Sequence, residues 1–139
     1  MKTLATLFIV LLTVSCNSSK NTSSAKSDSN TMPKLSGTYT VVSMNTKSMA
    51  GNSMELIFNE SDNSIAGSSG CNKLFGKFTQ QDAQLSFEGF GATKMYCDGK
   101  MDLEQEFFQG LSVVNAAAIE DDLILLKNGD AVLMTLKRI

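Results

Sequence analysis

Ser69–Gly-Cys-Asn-Lys-Leu-Phe-Gly-Lys-Phe78 and Ala92–Thr-Lys-Met-Tyr-Cys97 carry one cysteine each, and their reading decides the fold. Both segments read as strands or strand ends. Gly70 and Gly76 bracket the first, and glycine in a strand marks a bulge or a close backbone approach. Cys71 and Cys97 are expected to face each other across the core of a small domain. Outside the cytoplasm a bridge between them is the natural state. It would close a loop of about 26 residues and add about 3.5 kcal/mol in the chain-entropy picture. The alternative is a pair of buried free thiols packed as small hydrophobes.

Outward from this centre the pattern alternates. Leu35–Asn45 is dense in β-branched and aromatic residues and reads as a strand. Thr46–Ser53 reads as a loop. Met54, Leu56 and Phe58 share one face of a second strand, and a short strand lies around Ser64–Ala66. Leu85 and Phe87 share a face of the strand before the second cysteine. The period then changes: Leu103, Phe107, Leu111 and Val114 fall on one helical face between Lys100 and Val114. Asp98 or Asp102 is placed to cap this helix, and Gly110 is placed for close packing on the sheet. Three strands close the chain: a weak one at Ala116–Glu120, then Leu123–Leu126, then Ala131–Lys137 with Val132, Met134 and Leu136 on one face. Asn128–Gly129 between the last two suits a type I′ hairpin turn. About seven strands and one helix give an α+β fold: a small antiparallel β-sheet or partial barrel with one α-helix packed on it.

The first 16 residues read as an export signal. Lys2 precedes an apolar run from Leu4 to Leu12, which is shorter than the about 20 residues a spanning helix needs. Small residues and Cys16 follow. The arrangement resembles a bacterial lipoprotein signal, cut after residue 15 and lipidated at Cys16, with Thr13 standing where leucine is usual. An ordinary secretory signal is the alternative. Residues 16–34 then form the lipidated cysteine and a polar tether that cannot bury enough surface to order itself. Lys20, Lys26 and Lys34 against Asp28 give this tether a charge of +2. The domain from 35 to 139 holds 8 basic and 13 acidic residues, or −5.

Composition excludes several functions. The chain has no histidine and a net charge of −2 over 139 residues. Histidine-based triads cannot be built from it, and no basic run marks a nucleic-acid partner. Gly67–Ser-Ser-Gly70 lacks the lysine and following helix of a phosphate loop. The close acidic pairs Glu104–Glu106 and Asp121–Asp122 read as a solvated helix face and a turn. Met95, Cys97 and Met101 offer soft ligands that suit Cu(I), but methionine is more often core filler. No metal, cofactor or catalytic residue is therefore assigned.

The order of motifs resembles the META domain family of bacterial envelope lipoproteins similar to the heat-shock protein HslJ. The resemblance rests on Ser69–Gly70–Cys71–Asn72 with Gly76, on Thr93–Lys94–Met95–Tyr96–Cys97, on Met101, Glu104, Phe107, Phe108 and Leu111, and on the closing strands. It implies a non-enzymatic envelope domain tied to heat shock, antibiotic tolerance or motility, with no catalytic residues to carry over. The expected protein is anchored to a membrane through Cys16, with Asn17 after it weakly favouring the outer membrane, facing the periplasm. It would bind or stabilise another envelope protein. The alternative is a carrier of a small ligand or soft metal, using a cleft between sheet and helix.

Overall fold

The computed structural model describes residues 32–139. Cys16, the export signal and most of the tether lie outside the described residues. Met32 and Leu35 are buried in the core, and Pro33 O accepts a hydrogen bond from Gln80 Nε2 at 3.0 Å.

Nine strands and one helix follow among the described residues: β1 (Gly37–Met44), β2 (Lys47–Ser48), β3 (Glu55–Asn59), β4 (Ser64–Ser68), β5 (Lys73–Gln81), β6 (Gln84–Ala92), α1 (Met101–Ser112), β7 (Ala116–Glu120), β8 (Leu123–Asn128) and β9 (Ala131–Arg138). All pairings are antiparallel, in the order β2-β1-β3-β4-β5-β6-β7-β8-β9, and β1 also pairs with β9. That extra pairing links eight strands in a ring. The β6–β7 junction is its loosest point, with one registered pair, Gln84 opposite Ala116. The architecture is thus an α+β fold built mostly of one antiparallel sheet.

Period-two alternation places the core. Met54, Leu56 and Phe58 are all buried, as are Leu85 and Phe87. Phe58 sits at the centre of an aromatic group, with ring centroids 5.6 Å from Tyr39, 5.2 Å from Phe78 and 6.1 Å from Phe87. Such edge and tilted pairs add to plain area burial. On α1, Phe107 and Leu111 are fully buried and Leu103 packs partly against the core. A Cβ on Gly110 would come 2.6 Å from Met134 Cε, so this glycine lets the helix approach β9 closely. The obstructing atom is the end of a flexible side chain. Gly110→Ala is therefore expected to leave stability within about 1 kcal/mol of wild type, the gain in helix propensity offsetting the repacking; urea denaturation measures it.

Four expectations change at this level. The segment Thr46–Ser53 is not all loop, because Lys47–Ser48 pairs with Met44–Ser43 across a two-residue turn. Both turn residues, Asn45 and Thr46, have positive φ, of 45° and 69°. Threonine is a poor residue for that conformation, so composition gave no signal. Neither Asp98 nor Asp102 caps the helix; Lys100 occupies the N-cap with no side-chain capping bond. The β8–β9 turn is centred on Gly129–Asp130, because Asn128 pairs with Ala131. Of those two only Gly129 has positive φ, at 57°, which is the type II′ pattern. Val132 leaves the face of Met134 and Leu136 because the register shifts at Leu126/Lys127, turning it outward to 40% exposure.

The turn between β3 and β4 makes a small electrostatic site. Asp62 Oδ1 accepts from the Ser64 hydroxyl at 2.7 Å and from its N–H at 3.1 Å, with Lys77 Nζ 3.4 Å from Oδ2. These bonds, the Ser64 hydroxyl first, hold the carboxyl below its ordinary value of 3.8. A lowered folded value means that the contribution is present above the unfolded value and is lost as pH falls through the folded one. Ser64→Ala is expected to move the NMR-detected midpoint of Asp62 back upward.

Candidate functional site

Neither Ser69–Asn72 nor Thr93–Cys97 is a strand; both are loops, the first leading into β5 and the second leaving β6. The two are joined at Cys71 and Cys97, whose Cα atoms are 6.0 Å apart and whose sulfurs are bonded. Both cysteines are half-buried.

Asn72 is the second tie. It has no exposed surface. Its Oδ1 accepts from the Met95 N–H at 2.8 Å and from Thr93 Oγ1 at 2.7 Å, while its Nδ2 donates to Met95 O at 3.0 Å. The side-chain amide thus bonds both backbone groups of Met95, as a neighbouring strand would. This explains why the sequence looks like a strand pair while the backbone forms no ladder here.

Glu104 supplies the third tie. It lies on the same helical stripe as Phe107 and Leu111 and is buried with them, at 8% exposure. This corrects the expectation that Glu104 and Glu106 form a solvated face. Only Glu106 reaches the surface side, taking Asn45 Nδ2 at 2.8 Å and Lys47 Nζ at 3.8 Å. Glu104 Oε1 accepts from Asn72 Nδ2 at 2.8 Å. Its Oε2 accepts from the Asn72 N–H at 3.1 Å and from the Ser69 hydroxyl. A carboxylate among three donors is compensated by charge-assisted hydrogen bonds, without a cation. Sequence did hold a signal for this: residues 104, 107 and 111 recur at helical spacing, and a polar loop stood ready to receive the one acid among them.

The Ser69 hydroxyl is engaged on every side. It donates to Glu104 and accepts the N–H groups of Asn72 at 2.9 Å and Cys71 at 3.4 Å. With only 2% of Ser69 exposed, the cluster lies buried between the two loops and the helix. Of the soft-ligand set, Met95 is exposed while the other two are engaged. Cys97 is bonded to Cys71, and its N–H points to Met101 Sδ at 3.4 Å.

Two features of the surface remain. One is a row across four strands of the outer face, formed by Ile57, Ala66, Phe75 and Gly91, which the registers align side by side. Their neighbours Leu56, Phe58, Ile65 and Leu74 point inward, so the row points out, with Ile57 42% and Phe75 59% exposed. The Phe75 ring lies over Gly91, 2.4 Å from where a Cβ would stand. Beyond the ties, Met95 and Tyr96 are exposed as well. The other feature is a set of surface grooves. The largest of those described is about 780 Å³ and is lined by Lys34, Ser36, Gly37, Ile57, Asn59 and Glu60 among others. The interface between helix and sheet, where a carrier's cleft was expected, is filled by Phe107, Leu111 and Met134.

An antiparallel sheet with one covering helix, whose two central loops are tied by a disulfide and a buried Ser–Asn–Glu cluster, defines a small α+β domain of a recurrent kind. Residues 33–138 match the META domain, and the chain belongs to the META domain family. In fold it is similar to a protein from Burkholderia xenovorans solved by NMR, at 20% identity over 74% of this chain and 81% of that one, with a TM-score of 0.58. A second protein solved by NMR is 22% identical over 73% of this chain and 87% of its own, with a TM-score of 0.58. A DUF4847 family protein from Bacteroides vulgatus, solved by crystallography, is 14% identical over 75% of this chain and 93% of its own, with a TM-score of 0.57. At these identities the likeness is one of fold. No curated protein matches the chain.

Proposed function

We propose that this protein is a non-enzymatic envelope lipoprotein, anchored through Cys16, whose META domain binds or stabilises another envelope component in a stress- or antibiotic-tolerance-related role. The outward row of Ile57, Ala66 and Phe75 carries this reading. An exposed apolar row with polar flanks is the kind of surface a protein partner covers. Lys73 and Lys77 on β5, Glu88 on β6 and Glu55 on β3 supply the polar rim. The filled helix–sheet interface speaks for partner binding over ligand carriage.

Two measurements test it. Globomycin treatment of the native cell is expected to make the unprocessed precursor accumulate; processing that continues unchanged would remove the anchor. A photo-reactive residue at position 75 is expected to give a discrete cross-linked product in cells, and one at exposed Gln109 on the helix is expected to give none. Equal labelling from both positions would remove the outer face as the binding surface.

A further inference from the structure

We infer that Asn128–Gly129 is a spontaneous deamidation site and that the side chain of Asn115 guards it. This is the one Asn–Gly pair in the chain. Both residues are exposed at the β8–β9 turn. In the reaction the Gly129 nitrogen gives its proton to water and attacks Cγ of Asn128. The new N–C bond closes a succinimide ring, and the Cγ–Nδ2 bond breaks as ammonia leaves with a proton. Water then opens the ring at either carbonyl, giving aspartate or isoaspartate, with no electron transferred. Glycine offers the least steric resistance to ring closure, since it has no Cβ.

The fold opposes this step with one residue. The Gly129 N–H, which must be lost, donates to Asn115 Oδ1 at 2.9 Å. Asn115 Nδ2 donates in turn to Asn128 Oδ1 at 3.0 Å, fixing the amide that would be attacked. Asn115 is itself held at both backbone groups, its N–H on Lys127 O at 2.9 Å and its carbonyl accepting from Leu85 at 3.3 Å. The side chain thus arrives preorganised from the junction between α1 and β7. Asn128 also belongs to the ladder opposite Ala131, so closing the ring requires the end of the hairpin to open. The consequence of failure is local. An isoaspartate adds a backbone atom to a two-residue turn, and either product puts a new carboxylate beside Asp130.

The test incubates the intact protein in warm, mildly alkaline buffer and follows the tryptic peptide that begins at Asn128 by mass spectrometry. The native protein is expected to convert more slowly than the same protein in denaturing urea. Asn115→Ala is expected to convert about fivefold faster than native wild type, the factor that corresponds to one neutral hydrogen bond. Asn115→Asp keeps an acceptor for the Gly129 N–H but loses the donor to Asn128 Oδ1, and is expected to convert more slowly than Asn115→Ala. Equal native and urea rates overturn the inference even if Asn115→Ala does not fold. So does equal acceleration by the two substitutions in folded protein.

Discussion

Asn72→Ala is expected to destabilise the domain by about 3–5 kcal/mol, the scale for breaking a buried hydrogen-bond network. The substitution removes four bonds at once: two accepted from Thr93 and Met95, and two donated to Met95 O and Glu104. It leaves the backbone groups of Met95 without their partner and takes one donor from a carboxylate that is only 8% exposed. Each buried polar group left unpaired costs about 1–3 kcal/mol. Asn72→Asp is expected to do no better. It keeps the acceptor oxygen but loses both donated bonds and sets a second carboxylate against Glu104. Urea unfolding at unchanged m-value measures both. Because Asn72 and Glu104 share bonds, the double alanine variant is expected to lose less than the sum of the two single losses. Full additivity would mean that the cluster is not one network.

How much of this was legible in the sequence depends on what kind of contact each residue makes. Leu56, Phe58, Leu85 and Phe87 announce their strands because alternation in burial is written directly as alternation in type. Phe107 and Leu111 announce the helix in the same way. Glu104 does not, because its burial depends on Ser69 and Asn72, which are 35 and 32 residues away in the chain. A carboxylate is assigned to water until its donors are known. The loops escape the local pattern for a related reason. Asn72 performs with its side chain what a strand performs with its backbone, so Thr93–Cys97 has the composition of a paired segment without a ladder. The outward turn of Val132 rests on a one-residue register shift, which no local pattern records. Of the candidate site, the cysteines could be singled out from their number and setting. The apolar row could not, because Ile57, Ala66 and Phe75 become neighbours only through the registers of β3, β4 and β5.

The second large effect is expected at the disulfide. Reducing the bond, or replacing both cysteines by serine, is expected to cost about 3.5 kcal/mol, the chain-entropy value for the 26-residue separation of Cys71 and Cys97. The origin differs from that of the Asn72 loss. The cross-link acts mainly by restricting the unfolded chain, whereas Asn72 acts by satisfying groups in the native one. Two consequences follow from that difference. The reduced domain is expected to keep its far-UV circular dichroism, because Asn72 and Glu104 still join the same loops and helix. The two losses are expected to add to first order, one acting through the unfolded chain and the other through the native one, with a coupling term where Asn72 Nδ2 lies 3.5 Å from Cys71 Sγ. Together they reach about 6–9 kcal/mol, which matches or exceeds the stability of many domains this size, about 5–15 kcal/mol. Asn72→Ala is therefore expected to remain folded while oxidised and to melt, or come close to melting, when a dithiol reductant is added. If reduction unfolds the wild type as readily as the variant, the hydrogen-bonded cluster contributes little. If it unfolds neither, the bond constrains a chain that was already held, and the stabilisation assigned to loop closure is too large.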